Sequence, residues 1–186
     1  MLEQEVKLAF VNVEAARQAV ITAGGRLVVS RRLLDDTLFD TPDGEMRRSG
    51  RALRVRRDGA HGALTCKGPV LRGRIKTREE IETRVDDADA AAHILARLGY
   101  VPAFRSQKYR EEYALGDARV AVDEAPVGVF VEIEGTPEDI ARVALQLGRT
   151  ERDYRTESYS ALWRRACEAR GVEPGDMLFD PVDRAH

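Results

Sequence analysis

A chain of 186 residues is long enough for one large domain or two small ones with a real core. Its 43% hydrophobic and 33% charged residues describe a globular, charge-rich protein. The 30 basic residues nearly cancel the 32 acidic ones, leaving a net charge of -2. That excludes bulk nucleic-acid binding through a uniformly basic surface.

In chain order, the first strand carries Glu3-Gln4-Glu5-Val6-Lys7. Asn12 then caps a helix with Ala15, Ala16, Ala19, Val20 and Ala23 at helical spacing, ended by Gly24-Gly25. Residues 26–41 read as an extended segment closing on the turn Asp40-Thr41-Pro42-Asp43-Gly44. A short strand, a turn at Ser49-Gly50, a strand over 52–57 and another over 63–67 follow, and then a longer one over 74–85. Asp86 and Asp87 are placed to cap a helix with Ala90, Ala91, Ile94, Leu95 and Leu98, stopped by Gly99. Strands over 103–115, 119–124 and 127–135 come next, the first two joined at Gly116-Asp117. Thr136-Pro137-Glu138-Asp139 opens a further helix. A last helix spans about 156–170 and buries Tyr159, Leu162, Trp163 and Ala166.

About eight strands joined mostly by short turns, with about four helices, predict an α+β fold. Its antiparallel sheet is large enough to curl or close. One domain over 1–172 is expected, with a loosely ordered tail over 173–186. No run of about 18 apolar residues is present, so no membrane span or membrane partner is expected. Charged Glu3 and Glu5 stand where the apolar part of a signal peptide would begin. The two cysteines, Cys66 and Cys167, form no ligand-spaced pair. A cytoplasmic setting is expected.

Side chains alternate across a strand, so residues two apart share a face. Glu3, Glu5 and Lys7 share one, Arg54 and Arg56 another, Glu80 and Glu82 a third, Lys108 and Arg110 a fourth, and Glu132 and Glu134 a fifth. Lys67 and Asp123 likewise lie opposite apolar neighbours. For any single strand the ordinary explanation is a solvated face. Summed over strands, like charges on one sheet repel unless the cations grip phosphates and the carboxylates hold a hard divalent ion. If the sheet closes into a barrel, those faces make a charged tunnel.

These stretches resemble the CYTH superfamily, the triphosphate tunnel metalloenzymes. The resemblance begins at Glu3-x-Glu5-x-Lys7 and continues through Asp36-Thr37-Leu38-Phe39-Asp40-Thr41-Pro42-Asp43, Leu53-Arg54-Val55-Arg56 and Thr65-Cys66-Lys67-Gly68-Pro69. It runs on through Arg78-Glu79-Glu80-Ile81-Glu82, Lys108-Tyr109-Arg110, Val122-Asp123 and Phe130-Val131-Glu132-Ile133-Glu134. Cys66 stands where an aromatic is common, and Leu38 where Tyr is common.

The resemblance implies an eight-stranded antiparallel β-barrel tunnel with helices packed outside and a small-molecule triphosphate bound within. Lys7, Arg54, Arg56, Lys67, Lys108 and Arg110 would bind phosphate oxygens. Glu3, Glu5, Asp123, Glu132 and Glu134 would hold Mg2+ or Mn2+, with Arg78, Glu80 and Glu82 in the tunnel wall. In a triphosphatase a carboxylate such as Glu5 or Glu134 would orient the attacking water, with Lys7 at the reacting phosphate. In the family's class IV adenylyl cyclases the nucleophile is instead the ribose 3'-hydroxyl of ATP, and pyrophosphate leaves. A triphosphatase is the first expectation, the cyclase the alternative, and a non-catalytic polyphosphate or nucleotide binder the third. Assembly as a homodimer is left open.

Other residues carry blander readings. His61 and His93 lack a second ligand at metal spacing. Cys66 is expected to pack outside the sheet as a small hydrophobe, and Tyr159 and Trp163 to be core. Arg31, Arg32, Arg47, Arg48, Arg164 and Arg165 are mostly expected in solvent. Arg78 and Arg84 are expected either in the tunnel or as partners of Glu80 and Glu82.

Overall fold

The computed structural model describes residues 1–59 and 61–180. Eight strands form a closed antiparallel barrel in the order β1-β5-β4-β3-β2-β6-β7-β8. They are β1 (Leu2–Phe10), β2 (Arg26–Asp40), β3 (Ala52–Asp58), β4 (His61–Lys67), β5 (Lys76–Val85), β6 (Val101–Leu115), β7 (Ala118–Ala125) and β8 (Gly128–Glu134). The helices are α1 (Val13–Thr22), α2 (Glu45–Arg48), α3 (Ala88–Arg97), α4 (Pro137–Gln146) and α5 (Tyr159–Arg170).

The hydrophobic core lies outside the barrel. Val6, Leu8, Val120, Val122, Val131 and Ile133 pack with Ala16 and Val20 of α1 and Ile140, Val143 and Ala144 of α4. A second cluster joins Phe39, Leu53 and Val55 to Met46 of α2 and Leu95 of α3. Because the apolar faces of most strands are spent on this outer layer, alternation turns the charged face inward. Closure also removes the sheet edges that water would otherwise have to satisfy.

Caps set the helix starts. Asn12 Oδ1 accepts from Ala15 N at 2.8 Å, Asp87 Oδ1 from Ala90 N at 2.9 Å, and Ser158 Oγ from Ala161 N at 3.2 Å. The last therefore starts α5 at Tyr159, later than expected. The stretch before Ser49, expected as a short strand, is the single helical turn α2. Asp40 decides this: its carboxylate accepts from the backbone N of Thr41, Met46 and Arg47. Met46 is thereby carried into the second cluster.

Two segments fill gaps where strands outrun their partners. β1 pairs with β5 only as far as Glu5; beyond it, Lys7 N and O bond to Arg155 O and N, both at 2.9 Å. β6 pairs with β7 only from Tyr109 onward. Its other stretch takes Met177, whose N bonds to Arg105 O at 2.9 Å and whose O accepts from Gln107 N at 2.8 Å. Within the stretch expected to be loose, Asp176 and Met177 thus bond to β6, and Met177 is 1% exposed. The rest of the expected tail, 181–186, lies outside the described residues.

Candidate active site

The inward faces enclose a cavity of about 1950 Å³. Glu3, Glu5, Lys7, Arg54, Arg56, Lys67, Arg78, Glu80, Glu82, Lys108, Arg110, Glu132 and Glu134 all line it. Asp123 alone of the expected site residues is set behind that surface, with no exposure. The register explains the gathering: Glu5 lies opposite both Lys76 and Glu134, Lys7 opposite Glu132, Arg110 opposite Asp123, and Arg56 opposite Asp36.

The wall is a set of mixed-charge knots. Lys7 Nζ stands 3.0 Å from Glu132 Oε1 and 3.3 Å from Glu5 Oε1, and Lys76 Nζ donates to that same Glu5 oxygen at 2.5 Å. Asp123 accepts from Lys108 Nζ at 2.7 Å, from Arg110 Nε at 2.6 Å and from the Tyr159 hydroxyl at 2.7 Å. Arg110 also reaches Glu132. Asp36 takes both forks of Arg56, while Arg54 Nη2 reaches Thr65 and Glu82 at 3.0 and 3.1 Å. Lys67 Nζ joins Glu3 at 2.8 Å to Glu80 at 2.5 Å, and Arg78 Nε donates to Glu3 at 3.0 Å.

At Glu5, Lys7, Lys76, Lys108 and Glu134 burial works against the charge, and neighbours oppose or reinforce it. Burial pushes the Glu5 carboxyl upward, but Lys7 and Lys76 bring it down to about 2. Glu132 and Glu5 outweigh burial at Lys7, raising it above the ordinary ammonium value. Burial lowers Lys76 to about 8, reinforced by Lys7, and lowers Lys108 to about 8, reinforced by Arg110. Glu134 moves the other way: burial raises it, and the charges of Glu3 and Glu5 add to that against the pull of Arg119.

The five expected metal ligands differ in their partners. Among the described residues, no three acidic, His or Cys side chains are drawn together around a point. Asp123 is committed to its three donors and Glu132 to Lys7 and Arg110. Glu3, Glu5 and Glu134 face one another closely enough for their charges to repel. Glu134 takes no hydrogen bond among the described residues. Inward carboxylates suit a hard divalent cation, which takes oxygen ligands. Glu3, Glu5 and Glu134 all line the cavity, Glu5 accepting from Lys7 and Lys76 and Glu3 from Lys67 and Arg78.

Sequence reasoning missed four tunnel residues, Lys76, Asp36, Tyr159 and Arg32. Lys76 was legible, since it continues the alternation of Arg78 and Glu80. Asp36 follows only once β2 is known to pair with Arg56 of β3. Tyr159, read as core, turns its hydroxyl to Asp123 and its ring beneath Lys7 and Lys108, 5.1 and 4.5 Å away. A helix period carries no signal for that. Arg32 is also a lining residue and pairs with Asp58 and Glu112. Arg78 and Arg84 both line the cavity, and Arg78 pairs with Glu3 rather than with Glu80 or Glu82. Cys66 does point outward but is exposed instead of packed.

Known proteins match both sequence and shape. A family model for the CYTH domain matches residues 1–159. A Methanocaldococcus jannaschii protein named as a candidate adenylate cyclase is 28% identical over 141 residues, 75% of this chain and 80% of its own. A candidate adenylate cyclase structure from Vibrio parahaemolyticus aligns at TM-score 0.77 and 22% identity, covering 87% of this chain and 97% of its own. HpAC1 from Hippeastrum, a candidate adenylyl cyclase described as having a dominant triphosphatase activity, aligns at TM-score 0.66 and 19% identity. That alignment covers 92% of this chain and 97% of the other.

Proposed function

The chain belongs to the CYTH domain family, and from that premise we propose that it is a divalent-metal-dependent triphosphatase of residues 1–172. Its substrate would be inorganic triphosphate, thiamine triphosphate or a nucleoside triphosphate. CYTH tunnel enzymes are generally metal-dependent. The observation that carries the reading is the convergence of Lys7, Arg54, Arg56, Lys67, Lys108 and Arg110 on one cavity beside the carboxylates of Glu3, Glu5 and Glu134.

In this reading the guanidinium forks of Arg54, Arg56 and Arg110 bind phosphate oxygens in pairs, and the three ammonium groups act as point charges between them. These cations offset the charge that grows on the leaving phosphate as the terminal P–O bond breaks. Glu3, Glu5 and Glu134 would hold Mg2+ or Mn2+, which when bound neutralises and polarises the phosphate. Glu134, which no cation hydrogen-bonds among the described residues, or Glu5 orients the attacking water and receives its proton. An anion-binding module without catalysis would have no use for Glu134, a lining carboxylate that no cation hydrogen-bonds among the described residues.

The second reading, an adenylyl cyclase, is favoured by the names of the Methanocaldococcus and Vibrio relatives. It uses the same cations but lets the ribose 3'-hydroxyl of ATP attack the alpha phosphorus, releasing pyrophosphate. The test incubates the protein and Mg2+ or Mn2+ with tripolyphosphate, thiamine triphosphate and ATP, separating orthophosphate, pyrophosphate and cyclic AMP. Orthophosphate release supports the triphosphatase and names its substrate. Cyclic AMP with equal pyrophosphate transfers the assignment to the cyclase.

A further inference from the structure

One part of the cavity wall is apolar, and the charged machinery does not use it. On the inward face, Leu38 of β2 lies opposite Arg54 of β3 on one side and Phe104 of β6 on the other. Leu38, Phe104, Trp163 and Pro174 all line the cavity, and the first three are half-buried. Trp163 is the single tryptophan of the chain, and its indole is held in place: Nε1 donates to Gly175 O at 2.9 Å. Asp176 Oδ1 accepts from Arg105 N at 2.8 Å, and Met177 pairs along Ser106. The segment 174–177 therefore ties the indole of α5 to the stretch of β6 that presents Phe104 inward.

We infer that Leu38, Phe104, Trp163 and Pro174 form a shelf for the planar organic group of an organic triphosphate, with Trp163 as its specificity-determining residue. This rests on the triphosphate reading of the tunnel. A planar heterocycle buries apolar area on such a shelf and stacks on an aromatic face whatever its hydrogen-bonding edge. Arg54, adjacent to Leu38, places the first phosphate next to the shelf. Inorganic tripolyphosphate reaches the cations but has nothing to lay on it.

The lone indole supplies the test. Stopped-flow fluorescence with Mg2+, read in the binding phase before turnover, compares ATP with tripolyphosphate on the full chain. ATP should quench Trp163 emission, and tripolyphosphate should bind with little change. In Trp163→Ala and in Trp163→Leu, which keeps apolar bulk, ATP affinity measured by calorimetry with divalent metal chelated to prevent turnover should fall about tenfold, the loss expected for one base–aromatic stack. Tripolyphosphate affinity should stay within about twofold, and Trp163→Phe should restore much of the ATP binding. Equal weakening of both ligands in Trp163→Leu overturns the shelf, because the indole then only supports the wall. So does ATP binding that leaves the emission untouched. If neither ligand binds the unaltered protein, the triphosphate reading itself falls and the shelf falls with it.

Discussion

Asp36 accepts both forks of Arg56, Nε to Oδ1 at 2.7 Å and Nη2 to Oδ2 at 2.8 Å, with Arg54 Nη1 3.7 Å from Oδ2. A carboxylate here occupies the bidentate position that a phosphate would take. The protein thus supplies internal counter-anions for its own anion-binding groups, and a triphosphate must take those cations over.

Replacing Asp36 by Asn tests this arrangement through stability and binding at once. Burial works to raise the Asp36 carboxyl, but Arg56 and Arg54 hold it well below the usual range. A depressed carboxylate stabilises the fold above about pH 4 and loses that contribution as pH falls further. Asp36→Asn should cost about 3 kcal/mol at pH 7, since it leaves buried cations short of a partner. It should also flatten the loss of stability on acidification, as read by urea melts at pH 7 and at acid pH. The same variant should gain more thermal stability than the wild type on adding tripolyphosphate. An unchanged urea midpoint would contradict it.

Glu5→Gln should abolish turnover while keeping the fold. The amide oxygen can still accept from Lys76, but the charge facing Lys7 and Lys76 is gone. A loss of at least about 100-fold in kcat is expected, comparable to removing one preorganised electrostatic group. Product assays beside far-ultraviolet circular dichroism check it. Retained activity would remove Glu5 from the site.

Tyr159→Phe removes the hydroxyl that donates at 2.7 Å to Asp123, a side chain with no solvent exposure. Hydrogen bonds to charged groups contribute about 1.5–3 kcal/mol. In a chain of this length, each 1 kcal/mol moves Tm by roughly 2–4 °C, so a fall of about 5 °C is expected by calorimetry. No fall would mean that Lys108 and Arg110 satisfy Asp123 without the phenol.

Met177→Ala should cost about 2–3 kcal/mol, as for a buried methionine in any core, because Met177 is only 1% exposed. Urea unfolding measures it. A cost under about 0.5 kcal/mol would show the Met177 side chain to be dispensable for stability, since the variant keeps the backbone bonds to β6.

The alternation of charged and apolar residues makes the barrel legible in the sequence. Leu53, Val55 and the interposed Arg54 and Arg56 announce a strand with one apolar and one charged face. The closure of the sheet and the inward turn of the charges follow from the summed pattern and from the resemblance of the motifs. Three features are not legible there. The turn of α2 depends on Asp40 reaching donors up to seven residues ahead, a local contest that short-range pattern reads as strand. Tyr159 and Asp36 depend on which strand or helix lies opposite, and sequence spacing does not carry that. Met177 is buried by an edge whose existence follows only from β6 being longer than β7.

The most direct measurement is calorimetric titration of the purified protein with orthophosphate, pyrophosphate and tripolyphosphate at identical salt and with divalent metal chelated, so that nothing turns over. Cations spread from Lys67 to Arg110 around one cavity should favour length. Affinity is expected to rise by an order of magnitude or more from pyrophosphate to tripolyphosphate, and Arg56→Ala should erase most of that gain. Equal affinity for pyrophosphate and tripolyphosphate, or no binding of either, would contradict a tunnel built for a triphosphate.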